Sequence, residues 1–130
     1  MKYLSPYDIL IQSKTKKLIK LLDLEEYIIY SSGFGRTSKD QEPDYSTFLI
    51  LKIIKITEDH DNMLNTNDYK LTVKSLYSYD SSMETPKKMT GNTMLDNYYN
   101  MKKRIVYKSN SLEDCLNIVP SLLSTNKYNI

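Results

Sequence analysis

The sequence has few of the residues that usually mark a fold or a chemical site: one cysteine, one histidine, three glycines and four prolines in 130 residues. A lone cysteine, Cys115, allows no disulfide within the chain, so we expect a reducing compartment, the cytoplasm or the nucleus. The scarcity of glycine and proline, with 40% hydrophobic and 26% charged residues, excludes fibrous and disordered classes. The length favours a single domain over residues 1–130.

An excess of one charge sign is also lacking, because 18 Lys and Arg residues face 16 Asp and Glu residues and leave a net charge of +2. A strongly cationic chain would indicate nucleic-acid binding by its totals, and this chain does not. Any basic surface must therefore be local. The N-terminal apolar stretch is short and is interrupted by Pro6, Asp8 and Lys14, so neither a signal peptide nor a membrane span is predicted, and no membrane partner is expected.

A helix is predicted near the N-terminus, from Pro6 to about Leu22. Ser5 provides a capping hydroxyl, proline stands at the first helical position, and Asp8 places a carboxylate at the positive end of the helix dipole. Apolar residues then recur at helical spacing, with polar residues between them.

A second helix is predicted near the C-terminus, opening at Ser111 with Asp114 three residues later as a capping signature. Pro120 removes a helical hydrogen bond, so a bend or an early end is expected there. One apolar stripe runs along this helix and consists of Leu112, Cys115, Leu116, Val119, Leu122 and Leu123.

Strands are predicted between the two helices. The run Ser46–Thr57 is apolar on both faces, as expected for a strand that is covered on both sides, and Glu58–Asp68 is a polar turn region. The other strands are Tyr27–Ser31, Tyr69–Tyr79 and a segment around residues 102–108. In Tyr69–Tyr79 one face carries Tyr69, Leu71 and Val73 and the other carries Lys70, Thr72 and Lys74; in the last strand Ile105 and Tyr107 share one face, and Arg104, Val106 and Lys108 share the other.

This order of elements, without βαβ alternation, predicts an α+β fold: an N-terminal helix, an antiparallel sheet of three to four strands and a C-terminal helix, with both helices packed on one sheet face. The segment at about 80–101 shows no period and contains Pro86 and Gly91, and is predicted to be a mobile insertion.

No motif for catalysis or for a cofactor is found. The stretch GFGRTS, residues 33–38, has two glycines but no third glycine, no Lys-Ser or Lys-Thr pair and no helix after it, so it favours a turn over a nucleotide cradle. Around His60, the EDHDN stretch lacks the glycine and glutamate of a calcium loop and the cysteines of a zinc site. Cys115 lies on an apolar stripe, without a base in sequence context. We expect no enzyme activity, no metal and no cofactor.

Basic residues are more informative by position than by number. If the strands that carry them are adjacent and in register, the sheet has a basic face; the alternative is an ordinary solvated face. The residues concerned are Lys70, Lys74, Arg104 and Lys108 on the strands, with Arg36 and Lys39 in the glycine loop.

The order of elements resembles that of the small Alu-domain proteins of the signal recognition particle, the fourteen-kilodalton subunit most and the nine- and twenty-one-kilodalton relatives next. Leu4-Ser5-Pro6 is similar to the start of fungal members, and Tyr27-Ile28-Ile29 followed by Gly35-Arg36-Thr37 is similar to the first strand and basic loop. The stretches YKLTVKSLYSYDSS and KKRIVYKSNSLEDCLNIVPSLL resemble the last hairpin and the closing helix.

The resemblance implies a non-catalytic subunit of a ribonucleoprotein in protein targeting, which pairs with a second small α+β subunit as a heterodimer and grips structured RNA. The chemistry implied is phosphate pairing and recognition of RNA shape. The RNA-binding residues it implies are Arg36, Lys39, Lys70, Lys74, Arg104 and Lys108.

A second hypothesis is a small α+β adaptor that binds another protein. The two-sided apolarity of FLILKIIKI, residues 48–56, favours it, because a strand of this kind can be completed at its edge by another chain. Tyr98 and Tyr99 would suit such a contact.

Overall fold

The computed structural model describes residues 5–34, 43–61, 63, 66–80 and 85–128. These residues form an antiparallel six-stranded sheet with helices near both ends of the chain, so the predicted α+β class is confirmed, with more strands than the three to four expected. The helices are α1 (Pro6–Leu21), α2 (Tyr98–Met101) and α3 (Leu112–Tyr128), and the strands are β1 (Tyr27–Phe34), β2 (Pro43–Asp61), β3 (Thr66–Asp80), β4 (Lys87–Lys88), β5 (Asn92–Leu95) and β6 (Ile105–Ser109).

The sheet is built around the long hairpin of β2 and β3. The strand order is β4-β3-β2-β1-β6, and β5 pairs with β3 beside β4. The predicted turn region Glu58–Asp68 is shorter than expected, because the ladder continues to the pair Asp61 and Thr66. Each added pair satisfies backbone N–H and C=O groups whatever the polarity of the side chains, which explains how polar residues extend the hairpin.

Helix α1 begins as predicted. The backbone N–H of Asp8 donates to Oγ of Ser5 at 3.1 Å, and the N–H of Ser5 donates back to Oδ2 of Asp8 at 3.3 Å. This reciprocal cap satisfies two backbone groups that a helix end otherwise leaves open. After Leu22 the chain turns sharply through Asp23, whose φ of 55° lies in the left-handed region.

Helices cover part of each face of the sheet, with α1 and α2 on one face and α3 on the other. We call the face that carries α1 and α2 the front face and the face that carries α3 the back face. Consecutive strand residues point to opposite sides, and accordingly Ile28 packs in the front cluster with Leu51 while Ile29 packs in the back cluster with Ile50. The expectation that both helices share one face is therefore wrong. Because β2 is apolar on both sides, one covered face would leave the other exposed to water.

The central position of β2 also accounts for its apolar sequence within the chain. Residues 43–52 pair with β1 on one side, and the strand pairs with β3 on the other over nearly its whole length. Phe48 and Ile50 are buried on the back face, and Leu51, Ile53 and Ile56 on the front face. The apolar edge that favoured a partner protein is thus paired within the sheet over residues 43–52.

Strand β6 and helix α3 each depart from prediction at one residue. In β6, Tyr107 pairs with Ile29 and Ile105 with Tyr30, so Val106 is an extra residue and Ile105 and Tyr107 contact opposite clusters instead of sharing a face. In α3, a bend or an early end was expected at Pro120, and the helix continues to Tyr128, so the early end is wrong.

The apolar stripe of α3 packs as predicted. Cys115 and Val119 are fully buried against the back face. The start of the helix is also as predicted, because the N–H of Asp114 donates to Oγ of Ser111 at 3.3 Å.

Residues 85–101 form elements where a loop without secondary structure was expected. Strand β4 pairs with Tyr77 and Ser78, β5 pairs with residues 71–74, and α2 places Tyr98 and Met101 in the front cluster. The hydroxyl of Tyr98 donates to the carbonyl oxygen of Leu22 at 3.2 Å, which ties this segment to the end of α1. Elements of two to four residues are too short to show a period, so the sequence pattern could not reveal them.

Candidate nucleic-acid interface

The part of the back face that α3 leaves uncovered carries a row of paired lysines. Helix α3 packs over Phe48 and Ile50, and the next outward row of the same face is Lys52 on β2, directly opposite Lys74 on β3. Cross-strand neighbours of this kind stand about 5 Å apart at Cβ, and like charges there are destabilising. A pair of lysines in the middle of a sheet is therefore a feature that folding alone does not favour.

A β-bulge adds a third lysine to this face. Ile53 pairs with Val73 and Lys55 pairs with Thr72, so Ile54 is the extra residue between them. In a regular strand, residues 52 and 55 would point to opposite faces, but the bulge brings Lys55 to the same side as Lys52. Lys70 follows on β3, four residues before Lys74 and therefore on the same face. We call these four residues the lysine patch: Lys52, Lys55, Lys70 and Lys74.

Sequence reasoning found only half of the lysine patch. Lys70 and Lys74 were expected from the alternation of β3, and the structure places them on one face as predicted. Lys52 and Lys55 were missed because they interrupt an apolar strand at a spacing of three. The sequence signal that could have found them is the presence of lysine inside a strand that is otherwise buried on both sides.

Acidic residues pair with two members of the lysine patch. Nζ of Lys52 lies 3.5 Å from Oε1 of Glu26, and Nζ of Lys70 lies 3.8 Å from Oδ2 of Asp59 and 4.0 Å from Oδ1 of Asp96. All these side chains are more than a third exposed, so each pair contributes about 0–1 kcal/mol. Within the described residues, Lys55 and Lys74 form no ion pair.

The other predicted basic residues do not join the lysine patch. Lys108 lies on β6, which is separated from β3 by two strands, and it stands opposite Ile28, a front-face residue. Its Nζ pairs with Oδ2 of Asp23 at 3.1 Å and donates to the carbonyl oxygen of the same residue. Arg104 lies in a short 3₁₀ turn before β6. The expected single basic face that would unite β3 with β6 is therefore wrong, and Arg36 and Lys39 lie outside the described residues.

Tyr69, near the start of β3, forms a cluster with Tyr98 and Tyr99. Only one of the three tyrosines suits a partner contact. The ring of Tyr98 lies 6.4 Å from that of Tyr69 and 5.5 Å from that of Tyr99, both edge to face. Tyr98 is 5% exposed, whereas Tyr99 is 47% exposed and has Nζ of Lys102 5.3 Å from its ring centroid. Burial, with smaller effects from Tyr99 and Asp23, raises the pKa of Tyr98, so its hydroxyl stays protonated and donates.

Carboxylate Asp68 holds this cluster in place through the backbone. Its Oδ1 accepts from the N–H of Tyr69 at 2.8 Å and from the N–H of Tyr99 at 3.2 Å. The pKa of Tyr69 is also raised, by burial first and then by Tyr99, Glu58 and Asp68. The cluster therefore joins the start of α2 to β3.

The remaining candidates for chemistry are a buried cysteine and a histidine on the β2–β3 hairpin. Cys115 is fully buried, and burial, aided by Asp114, raises the pKa of its thiol to about 11, so it stays protonated at neutral pH. His60 forms a hydrogen bond through Nδ1 with Oδ1 of Asn67 across the hairpin. Among the described residues no group of three or more histidine, cysteine or acidic side chains is placed to hold a metal ion. The helices described also include none of the length and apolarity needed to cross a bilayer.

No family model matches this chain, and neither a curated protein nor a solved structure matches it significantly. The resemblance to the Alu-domain proteins therefore rests on the residues quoted above, and the function has to be argued from the site itself.

Proposed function

We propose that this protein is a non-catalytic RNA-binding subunit that holds RNA phosphates on the lysine patch. The observation that supports this most is the pair Lys52 and Lys74, two like charges directly opposite each other in an open part of the sheet. Their mutual repulsion is relieved when a polyanion lies over both. Lys55 and Lys74, which have no acidic partner among the described residues, are the two cations most available to phosphate.

Neighbouring side chains favour RNA shape over base sequence. Asn92 pairs with Lys74, and Thr72 lies between Lys55 and Met94 in the next row of the sheet. A hydroxyl and an amide beside the cations can bond to sugar 2′-hydroxyls and phosphate oxygens, and Met94, which is 57% exposed, offers an apolar surface to a ribose or a base. None of these side chains reads a base edge in a fixed geometry.

The resemblance to the small Alu-domain proteins extends this proposal to a ribonucleoprotein of protein targeting in the cytoplasm or nucleus, with a second small α+β subunit as heterodimer partner. Strand β6 supports such pairing, because within the described residues it pairs only with β1 and leaves its other edge open. An open strand edge is a template on which a second sheet can continue.

The proposal is tested by salt-dependent binding. Fluorescence anisotropy with an Alu-type stem-loop RNA, between about 50 and 200 mM salt, gives log Kd against log salt with a slope of about 0.7–0.9 per phosphate held. We expect the double variant Lys55→Ala/Lys74→Ala to weaken binding and to lower the slope by about 1.5. Lys14→Ala/Lys17→Ala removes the same charge from exposed positions on α1 and serves as control.

Two results would overturn the proposal. One is the absence of RNA retention at low salt and micromolar protein, both alone and with a candidate partner subunit. The other is an equal loss of affinity in the two double variants, because net charge and not the lysine patch would then explain binding.

A protein-interaction adaptor is the second candidate, and the exposed first turns of α1 favour it. Tyr7, Ile9 and Leu10 are 67%, 55% and 57% exposed, although helix α1 is anchored by its second half. Exposed apolar residues grouped in this way are typical of contact surfaces. If Tyr7→Ser/Leu10→Ser abolishes assembly of the protein into a larger complex in sedimentation while Lys55→Ala/Lys74→Ala does not, the adaptor function is the correct one.

A further inference from the structure

A cavity opens beside β2 at the point where β1 begins. Strand β1 starts at Tyr27, and from Ile53 onward the edge of β2 on this side faces the second half of α1 and the Asp23–Glu26 turn. The cavity measures about 970 Å³, near the upper end of the range of small-molecule sites. Its apolar lining includes Ile19 from α1 and Ile54, the bulge residue, which is 40% exposed.

A buried hydroxyl in the wall of this cavity has no partner. Thr15 is 5% exposed and lines the cavity, and its Oγ1 makes no hydrogen bond with any described residue. A helical threonine commonly bonds to a carbonyl three or four residues before it, and a buried polar atom left without a bond costs free energy. An unsatisfied hydroxyl in a cavity wall is a candidate partner for a polar atom of a bound molecule.

The charges around the cavity favour an anion. Two of its acidic side chains are already paired, Glu26 with Lys52 and Asp23 with Lys108. The charged lining residues left after these pairs are the cations Lys16, Lys20 and Lys74 and one acid, Glu25. Three positive charges and one negative charge leave a net charge of +2 beside the apolar wall of the cavity.

We propose that this cavity binds a small amphipathic anion, an organic phosphate or carboxylate. Its apolar body lies against Ile19 and Ile54, its acid group lies among the cations from α1 and β3, and the Thr15 hydroxyl bonds to a polar atom of the ligand. The site is distinct in function from the RNA surface, although Lys52 and Lys74 border both, so ligand binding and RNA binding are expected to compete.

Octyl phosphate is the probe, because it joins an apolar chain to a phosphate, and octanol and inorganic phosphate are its two halves. In isothermal titration calorimetry we expect octyl phosphate to bind at least about tenfold more tightly than either half, since only the whole molecule uses both parts of the cavity. The melting temperature should rise with octyl phosphate in proportion to its occupancy. Equal affinity for octyl phosphate and octanol would overturn the proposal, as would no binding of any of the three.

Three variants test the assigned contacts. Thr15→Val keeps the shape and removes the hydroxyl, so we expect the Kd for octyl phosphate to rise about fivefold while the ligand-free protein becomes no less stable. Thr15→Ser should restore binding, and Lys20→Ala should raise Kd about tenfold by removing a charge-assisted contact. Lys17→Ala, on the exposed side of α1, is the control and should leave Kd unchanged.

The variants also separate this proposal from the RNA-binding one. Thr15→Val should leave RNA affinity unchanged, because Thr15 is 5% exposed and the substitution removes no charge from the lysine patch. If Thr15→Val and Lys20→Ala bind octyl phosphate as tightly as the natural protein, the ligand lies elsewhere and the proposal is wrong.

Discussion

The like-charge pair of Lys52 and Lys74 makes a prediction about stability that does not depend on any ligand. Replacing Lys74 by threonine removes the repulsion and places a good strand-forming residue on β3. Lys70→Thr is the matched control, because Lys70 lies on the same strand and the same face as Lys74. It makes the same chemical change but removes favourable ion pairs to Asp59 and Asp96 instead of a repulsion. When the free energies of unfolding of the two variants are compared, the effect of strand propensity cancels and the effect of charge remains.

The magnitude follows from Coulomb's law. Two unit charges about 6 Å apart repel by about 0.7 kcal/mol in water, which screening reduces to about 0.6 kcal/mol at 0.01 M salt and below about 0.1 kcal/mol at 1 M. The exposed ion pairs of Lys70 contribute about 0.5 kcal/mol in the opposite direction. The Lys74→Thr variant should therefore have a free energy of unfolding about 1 kcal/mol higher than that of the Lys70→Thr variant at low salt. This difference in free energy should nearly vanish at about 1 M salt.

Urea unfolding at both salt concentrations measures this difference, provided that the slope of the transition is unchanged between the variants. Equal stabilities at low salt, or a gap that persists at 1 M, would refute the assignment of Lys52 and Lys74 as neighbours in the folded state. Because loss of Lys74 is also expected to weaken RNA binding, the same variant should become more stable and bind less well. That combination is typical of a residue kept for function.

Three further predictions concern the fold. Ser5→Ala should lower the free energy of unfolding by about 1 kcal/mol through loss of the α1 cap to Asp8, as measured by thermal or urea unfolding. Tyr98→Phe should cost about 1 kcal/mol, because the carbonyl of Leu22 loses its donor, and a neutral effect would show that the hydrogen bond is absent. The pKa of the Cys115 thiol is raised from 9.0 to about 11, so between these pH values the thiol ionises only in the unfolded chain. The free energy of unfolding should therefore be unaffected by this group below pH 9.0 and should fall as the pH rises toward about 11. Cys115→Ala should remove the part of that fall below pH 10.0, whereas Tyr69 and Tyr98, whose pKa values are also raised from 10.0, still lower stability above it. Native protein should resist thiol reagents that label it in urea.

Local features were predictable where one element decides them. The cap of α1 depends on Ser5 and Asp8 alone, the apolar stripe of α3 depends on helical spacing, and the alternation of β3 depends on a period of two. In each case the side chains that determine the feature are close together in the chain. The same reasoning gave Lys70 and Lys74 a common face, which the structure confirms.

Features that join distant segments were not predictable in this way. Whether α3 packs on the same face as α1 depends on the path of the whole chain. The two-sided apolarity of β2 predicted a strand covered on both sides, which is confirmed, but it also favoured an edge open to a partner, because its place inside the sheet was unknown. Arg104 and Lys108 were grouped with β3 because strand order was unknown. Residues 85–101 form elements too short for a periodic signal, and Tyr98 is buried there by contacts with β3 and α1.

By itself, the sequence determined the α+β class, the start of α1 and the stripe of α3, because hydrogen bonding and burial within a helix or a strand follow from neighbouring residues. Only the tertiary structure decided which cations share a surface. A single extra residue, Ile54, brings Lys55 to the same face as Lys52, and the pairing of β2 with β3 places Lys74 opposite Lys52. A bulge changes the direction of every side chain after it, and its position depends on the partner strand rather than on the residues of its own strand.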